Sequence, residues 1–128
     1  MTAGRGRQKT AAIAIAASLA LMPLESATAH RFRASSSSSI NAFKRKFQGR
    51  VKSPTGRCKR GRTVTVFQKK AGPDKRIGSD TSARSGAWTV GKRPQNGKRY
   101  YAKVKYRKKK RHGHSHICKQ GRSRTITR

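Results

Sequence analysis

Residues 99–107 read Arg-Tyr-Tyr-Ala-Lys-Val-Lys-Tyr-Arg. Tyr100, Ala102, Val104 and Tyr106 fall on one side of an extended chain, and Tyr101, Lys103, Lys105 and Arg107 on the other. A period of two with one apolar row marks a strand with a core on one face and water on the other. Upstream, Thr63–Gln68 (TVTVFQ) alternates in the same way, with Val64 and Val66 sharing a face. Shorter runs of this texture occur at Phe47–Lys52, 75–80, Ala87–Val90, 117–118 and 123–127, separated by Pro54-Thr55-Gly56, Gly72-Pro73-Asp74, Ser85-Gly86 and Asn96-Gly97. Asn-Gly favours a type I′ hairpin turn.

Nothing after residue 30 carries a helical stripe. About seven short strands spaced near ten residues apart imply an all-β fold, a small Greek-key β-sandwich. Val51, Val64, Val66, Ile77, Trp88, Val90, Tyr100, Val104, Ile117 and Ile126 are its expected core.

The chain divides into three. Residues 1–29 have a basic start (Arg5, Arg7, Lys9), an Ala-rich apolar run and Ala27-Thr28-Ala29. That is the pattern of a secretory signal peptide cleaved after Ala29. The apolar run is shorter than the roughly 20 residues a membrane span needs. A mitochondrial presequence is the competing reading, but its basic residues would be threaded through the apolar run. Residues 30–42, with Ser35 to Ser39 unbroken, read as a Ser-rich flexible tail. Residues 43–128 form the sandwich. The expected location is secreted, cell-surface or periplasmic.

Cys58 and Cys118 are the only cysteines. In a small exported chain two cysteines read most simply as one disulfide; two separate buried thiols are the alternative. With only two there is no zinc ribbon.

Composition narrows the function. The chain has 34 Lys and Arg against 3 Asp and Glu in 128 residues, a formal charge of +31, with 32% apolar and 6% aromatic residues. Such a chain adheres to polyanions. Beyond the leader only Asp74 and Asp80 are acidic, each beside a turn signal, and no nucleophile motif occurs, so no enzyme is expected. The candidate polyanion-binding residues are Lys103, Lys105, Arg107, Lys108, Lys109, Lys110 and Arg111, a basic row that could follow a phosphate-bearing polymer, with Tyr101 offering one stacking ring. A basic edge at 99–107 would also discourage self-pairing. His112, His114 and His116 would share a face if extended and are weak candidate ligands for zinc or copper; the neighbouring cations oppose a dication, and Gly113 suggests a mobile loop. No cofactor is expected.

Gly49-Arg50-Val51, Val64-Thr65-Val66, Asp80-Thr81, Gly86-Ala87-Trp88, and Gly97 followed by Tyr100-Tyr101-Ala102-Lys103-Val104 together resemble the transthyretin-like (prealbumin-like) sandwiches. Nearest are the carboxypeptidase regulatory-like domains, and small exported bacterial proteins built on the same plan. The likeness spans about residues 45 to 128 and implies a seven-stranded Greek-key sandwich without catalytic residues of its own. Ser85 stands where that family often has an acid or Asn.

The expected partner is therefore an anionic polymer: envelope polysaccharide, anionic lipid or nucleic acid. Three roles accommodate it: an exported non-enzymatic module binding anionic envelope or extracellular polymers, an intracellular or organellar nucleic-acid binder of ribosomal-protein type, or a structural surface protein.

Overall fold

In the computed structural model residues 31–128 are described; the signal-peptide reading of residues 1–29 lies outside them. The strands are β1 (Arg31–Ala34), β2 (Ser37–Ser38), β3 (Asn41–Ala42), β4 (Phe47–Lys52), β5 (Thr63–Gln68), β6 (Lys75–Thr81), β7 (Ala87–Val90), β8 (Arg99–Val104), β9 (Arg107–Arg111), β10 (His114–Cys118), β11 (Gly121–Arg122) and β12 (Ile126–Thr127). Among the described residues the only helical element is a 3-10 turn at Gly56–Cys58. No helix among them is long and apolar enough to cross a membrane.

Two sheets form the sandwich. One places β4 between β7 and the short strands β2 and β3, which lie end to end along its other side. The second runs β6-β5-β8, with β11 and β12 end to end along the far side of β8. With each end-to-end pair taken as one interrupted edge strand, the layers hold three and four strands, the number that the spacing of turn signals implies. The alternation of β-branched and aromatic residues fills the space between them. Phe47, Val51, Trp88, Val90 and Ile40 come from the first layer, and Val64, Val66, Tyr100, Ala102 and Val104 from the second. Ile77 and Ile126 pack at the margin, and Ile117 is buried outside this cluster.

Residues 31–42 are not a free tail. Ile40 is 1% exposed, and the serine hydroxyls do the work expected of apolar side chains elsewhere. Ser38 Oγ accepts from the buried Trp88 Nε1 at 2.9 Å, Ser39 Oγ accepts from the Arg50 amide at 2.9 Å, and Ser36 Oγ accepts from Arg62 at 2.7 Å. A buried donor needs an acceptor, and a Ser run supplies acceptors without any hydrophobic period to betray it.

The strand inferred over 99–107 is two strands. β8 ends at Val104, and the chain turns through residues 105–106 into β9, which leaves Tyr106 exposed. β8 is an interior strand; the basic edge is β9, last in a third sheet ordered β1-β10-β9. Asn96-Gly97 makes a turn but no hairpin, because β7 pairs with β4 and β8 with β5, in opposite layers. The two-residue hairpin lies instead at His112-Gly113, joining β9 to β10, with φ of 47° and 74°. Positive φ at both positions is what a type I′ turn requires. The segment read as a mobile loop is therefore a tight turn.

Candidate functional site

The third sheet hangs on the sandwich by polar and covalent links more than by apolar packing. Its apolar cluster is Ala34, Cys58 and Cys118 alone. The expected disulfide is present, joining Cys58 to Cys118 with Cα atoms 5.4 Å apart across 60 positions. Closing a loop of that length contributes on the order of 4 kcal/mol in chain-entropy terms.

Beside it lies a side chain that the sequence did not single out. Arg62 is 0% exposed, the only charged residue buried to this degree among the described residues. Its guanidinium donates to the Cys58 carbonyl (2.8 Å), the Lys105 carbonyl (2.8 Å), the Lys119 carbonyl (3.0 Å) and Ser36 Oγ. Those acceptors lie on the segment before β5, the link between β8 and β9, the link after β10, and the segment before β2. One planar fork with five donors can gather four backbone segments where a smaller side chain cannot. Burial, and then the nearby Arg107, lower its pKa from the ordinary arginine value.

Register fixes what the third sheet presents. His116 stands opposite Lys109 on one side and Phe32 on the other; Cys118 stands opposite Arg107 and Ala34; His114 stands opposite Arg111. Opposed residues share a face, so Phe32, Ala34, His114, His116, Lys109 and Arg111 look the same way, toward the 55–60 segment that the disulfide holds over them. Lys108 and Lys110 look the other way and, with Arg31 and Ser115, line a separate hollow.

The basic residues inferred from the sequence therefore do not form one row. Lys103 is exposed on β8, its ammonium 5.9 Å from the Phe67 ring. Lys105 is exposed in the link between strands. Arg107 is turned back on the protein, donating to the carbonyls of Arg57, Arg60 and Gly61. Only Lys108, Lys109, Lys110 and Arg111 remain together as an exposed stretch, divided between two faces. Tyr101 is no stacking platform. It is buried, stacked on Phe67, covered by the Arg122 guanidinium 3.9 Å from its ring, and donates its hydroxyl to Asp74.

The three-histidine face is not formed. His112 is in the turn, His114 and His116 are two residues apart on β10, and Cys118 is in the disulfide. Among the described residues no group of three or more His, Cys, Asp or Glu side chains comes together around a metal-sized space.

The structure does add two arginines. Arg57 and Arg60 flank Cys58, and the disulfide carries them to β9 and β10, where they line a hollow of about 230 Å³ with Arg107, Lys109, Arg111 and His116. No acid lines it. Arg57 donates to His116 Nε2 at 2.7 Å. Arginine is always a donor, so His116 accepts with its neutral ring. Desolvation, then the charges of Arg57, His114 and Arg111, lower its pKa below the ordinary histidine value of 6.5. Pairing Arg57 and Arg60 with Lys109 was readable in principle, because it follows once Cys58 is joined to Cys118.

No protein-family model matches the chain, and neither the curated proteins nor the solved structures contain a match.

Proposed function

We propose that this protein is an exported, non-enzymatic basic module that binds anionic polymers of the cell envelope or extracellular space, on a prealbumin-like sandwich of the carboxypeptidase regulatory-like kind. The observation that carries this reading is the hollow in which Arg57, Arg60, Lys109 and Arg111 gather around His116, with no acid in its lining. Like charges gathered on a rigid sheet repel one another, and an anion relieves that repulsion while releasing counterions from the polymer. Lys108 and Lys110 on the reverse of the same strand let a polyanion pass along the β9 edge and touch both faces. A disulfide suits the oxidising compartment that export implies.

The test is a salt titration of the oxidised protein against isolated cell envelopes and duplex DNA in parallel. Envelope binding that is tighter and persists at about 0.15 M salt supports the reading. Tighter binding to DNA supports a nucleic-acid role instead. Equal binding that disappears at that salt leaves the charge merely adhesive and overturns the proposal.

A further inference from the structure

The cationic hollow has an apolar neighbour on the same face. Phe32, Ala34, Thr55, Gly56 and Cys58 contribute to a cavity of about 670 Å³, and Arg57 and His116 line both spaces. The volume is in the range of small-molecule sites. Register explains the division: across the sheet, Phe32, His116 and Lys109 stand in one row, apolar at the β1 end and cationic at the β9 end. The Phe32 ring stacks on His116 at 5.3 Å with planes 8° apart, so aromatic surface runs up to the boundary.

We propose that this face binds a single phosphate-headed amphiphile, its apolar part against Phe32 and Ala34 and its phosphate against Arg57, Arg60, Lys109 and Arg111. The proposal rests on the reading that the basic hollow is an anion site, and specifies what the anion is attached to. A polymer carrying phosphate alone would meet the cations and leave the apolar half exposed to water. A neutral lipid would cover the apolar half and leave the cations unrelieved. Only a ligand with both parts complements both.

The Arg57–His116 contact lies where such a ligand would cross from one half to the other. A neutral imidazole is a modest partner for a guanidinium, whereas a phosphate accepts two parallel charge-assisted hydrogen bonds from it. The phosphate would draw Arg57 away and favour protonation of His116, which then donates as well.

The experiment is calorimetry on the oxidised protein with dodecyl phosphate below its critical micelle concentration, beside inorganic phosphate and the uncharged dodecyl maltoside. Dodecyl phosphate is expected to bind at least about tenfold tighter than inorganic phosphate, since burying even two or three methylenes is worth that factor, and at least about tenfold tighter than the maltoside, whose equal tail brings no charge to the arginines. Phe32→Ser, at an already exposed position, and Thr55→Trp, which fills the cavity from its opposite wall, should each weaken dodecyl phosphate about threefold or more and leave inorganic phosphate unchanged. The double variant Lys109→Gln/Arg111→Gln should weaken both. If dodecyl phosphate binds no tighter than inorganic phosphate, or neither cavity variant affects it, the amphiphile proposal fails while the anion site stands. If neither phosphate probe binds, the anion site fails with it.

Discussion

Arg62 donates a hydrogen bond to the carbonyl oxygen of Cys58 at 2.8 Å, which seats the buried guanidinium directly against one half of the disulfide. Noncovalent and covalent ties thus converge where the third sheet meets the sandwich. No carboxylate balances Arg62; its charge is met by carbonyl dipoles and Ser36 Oγ, and its Nε has no protein partner among the described residues. Arg62→Met would leave three carbonyls and a hydroxyl without their donor. The expected loss is about 3–5 kcal/mol in urea unfolding. Arg62→Lys should recover only part of it, because an ammonium has three donors and no fork. A loss under about 1 kcal/mol for Arg62→Met would remove Arg62 from its organising role.

Reduction of Cys58–Cys118 should act locally before it acts globally. The sandwich has a ten-residue apolar cluster of its own, whereas the third sheet has only Ala34 and the two cysteines. In hydrogen exchange after reduction, amides of β9 and β10 should lose protection first, with those of β5 and β8 retained. Uniform loss across all four strands would contradict this.

Trp88 and Ser38 test whether residues 31–42 belong to the fold. Ser38→Ala leaves the buried indole N–H without its acceptor, at a cost of about 1–3 kcal/mol. Denaturant midpoints with an unchanged slope are the readout. A flexible tail would give no change.

His116 sets a pH dependence. Its pKa is depressed on folding, so the unfolded chain binds the extra proton first as pH falls. The stability this residue contributes is complete above pH 6.5 and declines as pH drops through its lower native value. In an NMR titration its ring should titrate below 6.5, and saturating phosphate should move that midpoint upward by offsetting Arg57. A midpoint at or above 6.5 in the free protein, or one unmoved by phosphate, would contradict the arrangement.

The sandwich was legible because its strands alternate. Val64 and Val66, or Tyr100, Ala102 and Val104, announce a buried face by period alone. The β1–β3 segment was not, since its partners are serine hydroxyls and an isolated Ile40. A run of five serines looks the same in sequence whether it faces water or an indole nitrogen. Nor does an arginine inside a basic stretch such as Lys59-Arg60-Gly61-Arg62 reveal that it alone is buried, because burial is decided by carbonyls from residues as distant as Lys119. The basic site was half legible: 108–111 stood out by charge, whereas Arg57 and Arg60 join it only through the disulfide. Lys103 and Arg107 dropped out because the strand breaks at residues 105–106, and a break between an alternating stretch and an unbroken run of cations leaves no mark on the pattern.

The most direct test of the basic β9 edge as the binding site compares salt slopes. Binding of the oxidised protein to isolated envelopes is measured from low to physiological salt for two variants, one with Lys108, Lys109, Lys110 and Arg111 changed to Gln, the other with Lys69, Lys70, Lys92 and Arg93 changed to Gln. Each phosphate contact contributes roughly 0.7–0.9 to the slope of log affinity against log salt. The β9 variant should therefore lose about 3 of that slope, and the control variant less than about 1. Equal losses in the two would show that the charge acts by quantity alone, and that β9 is no dedicated site.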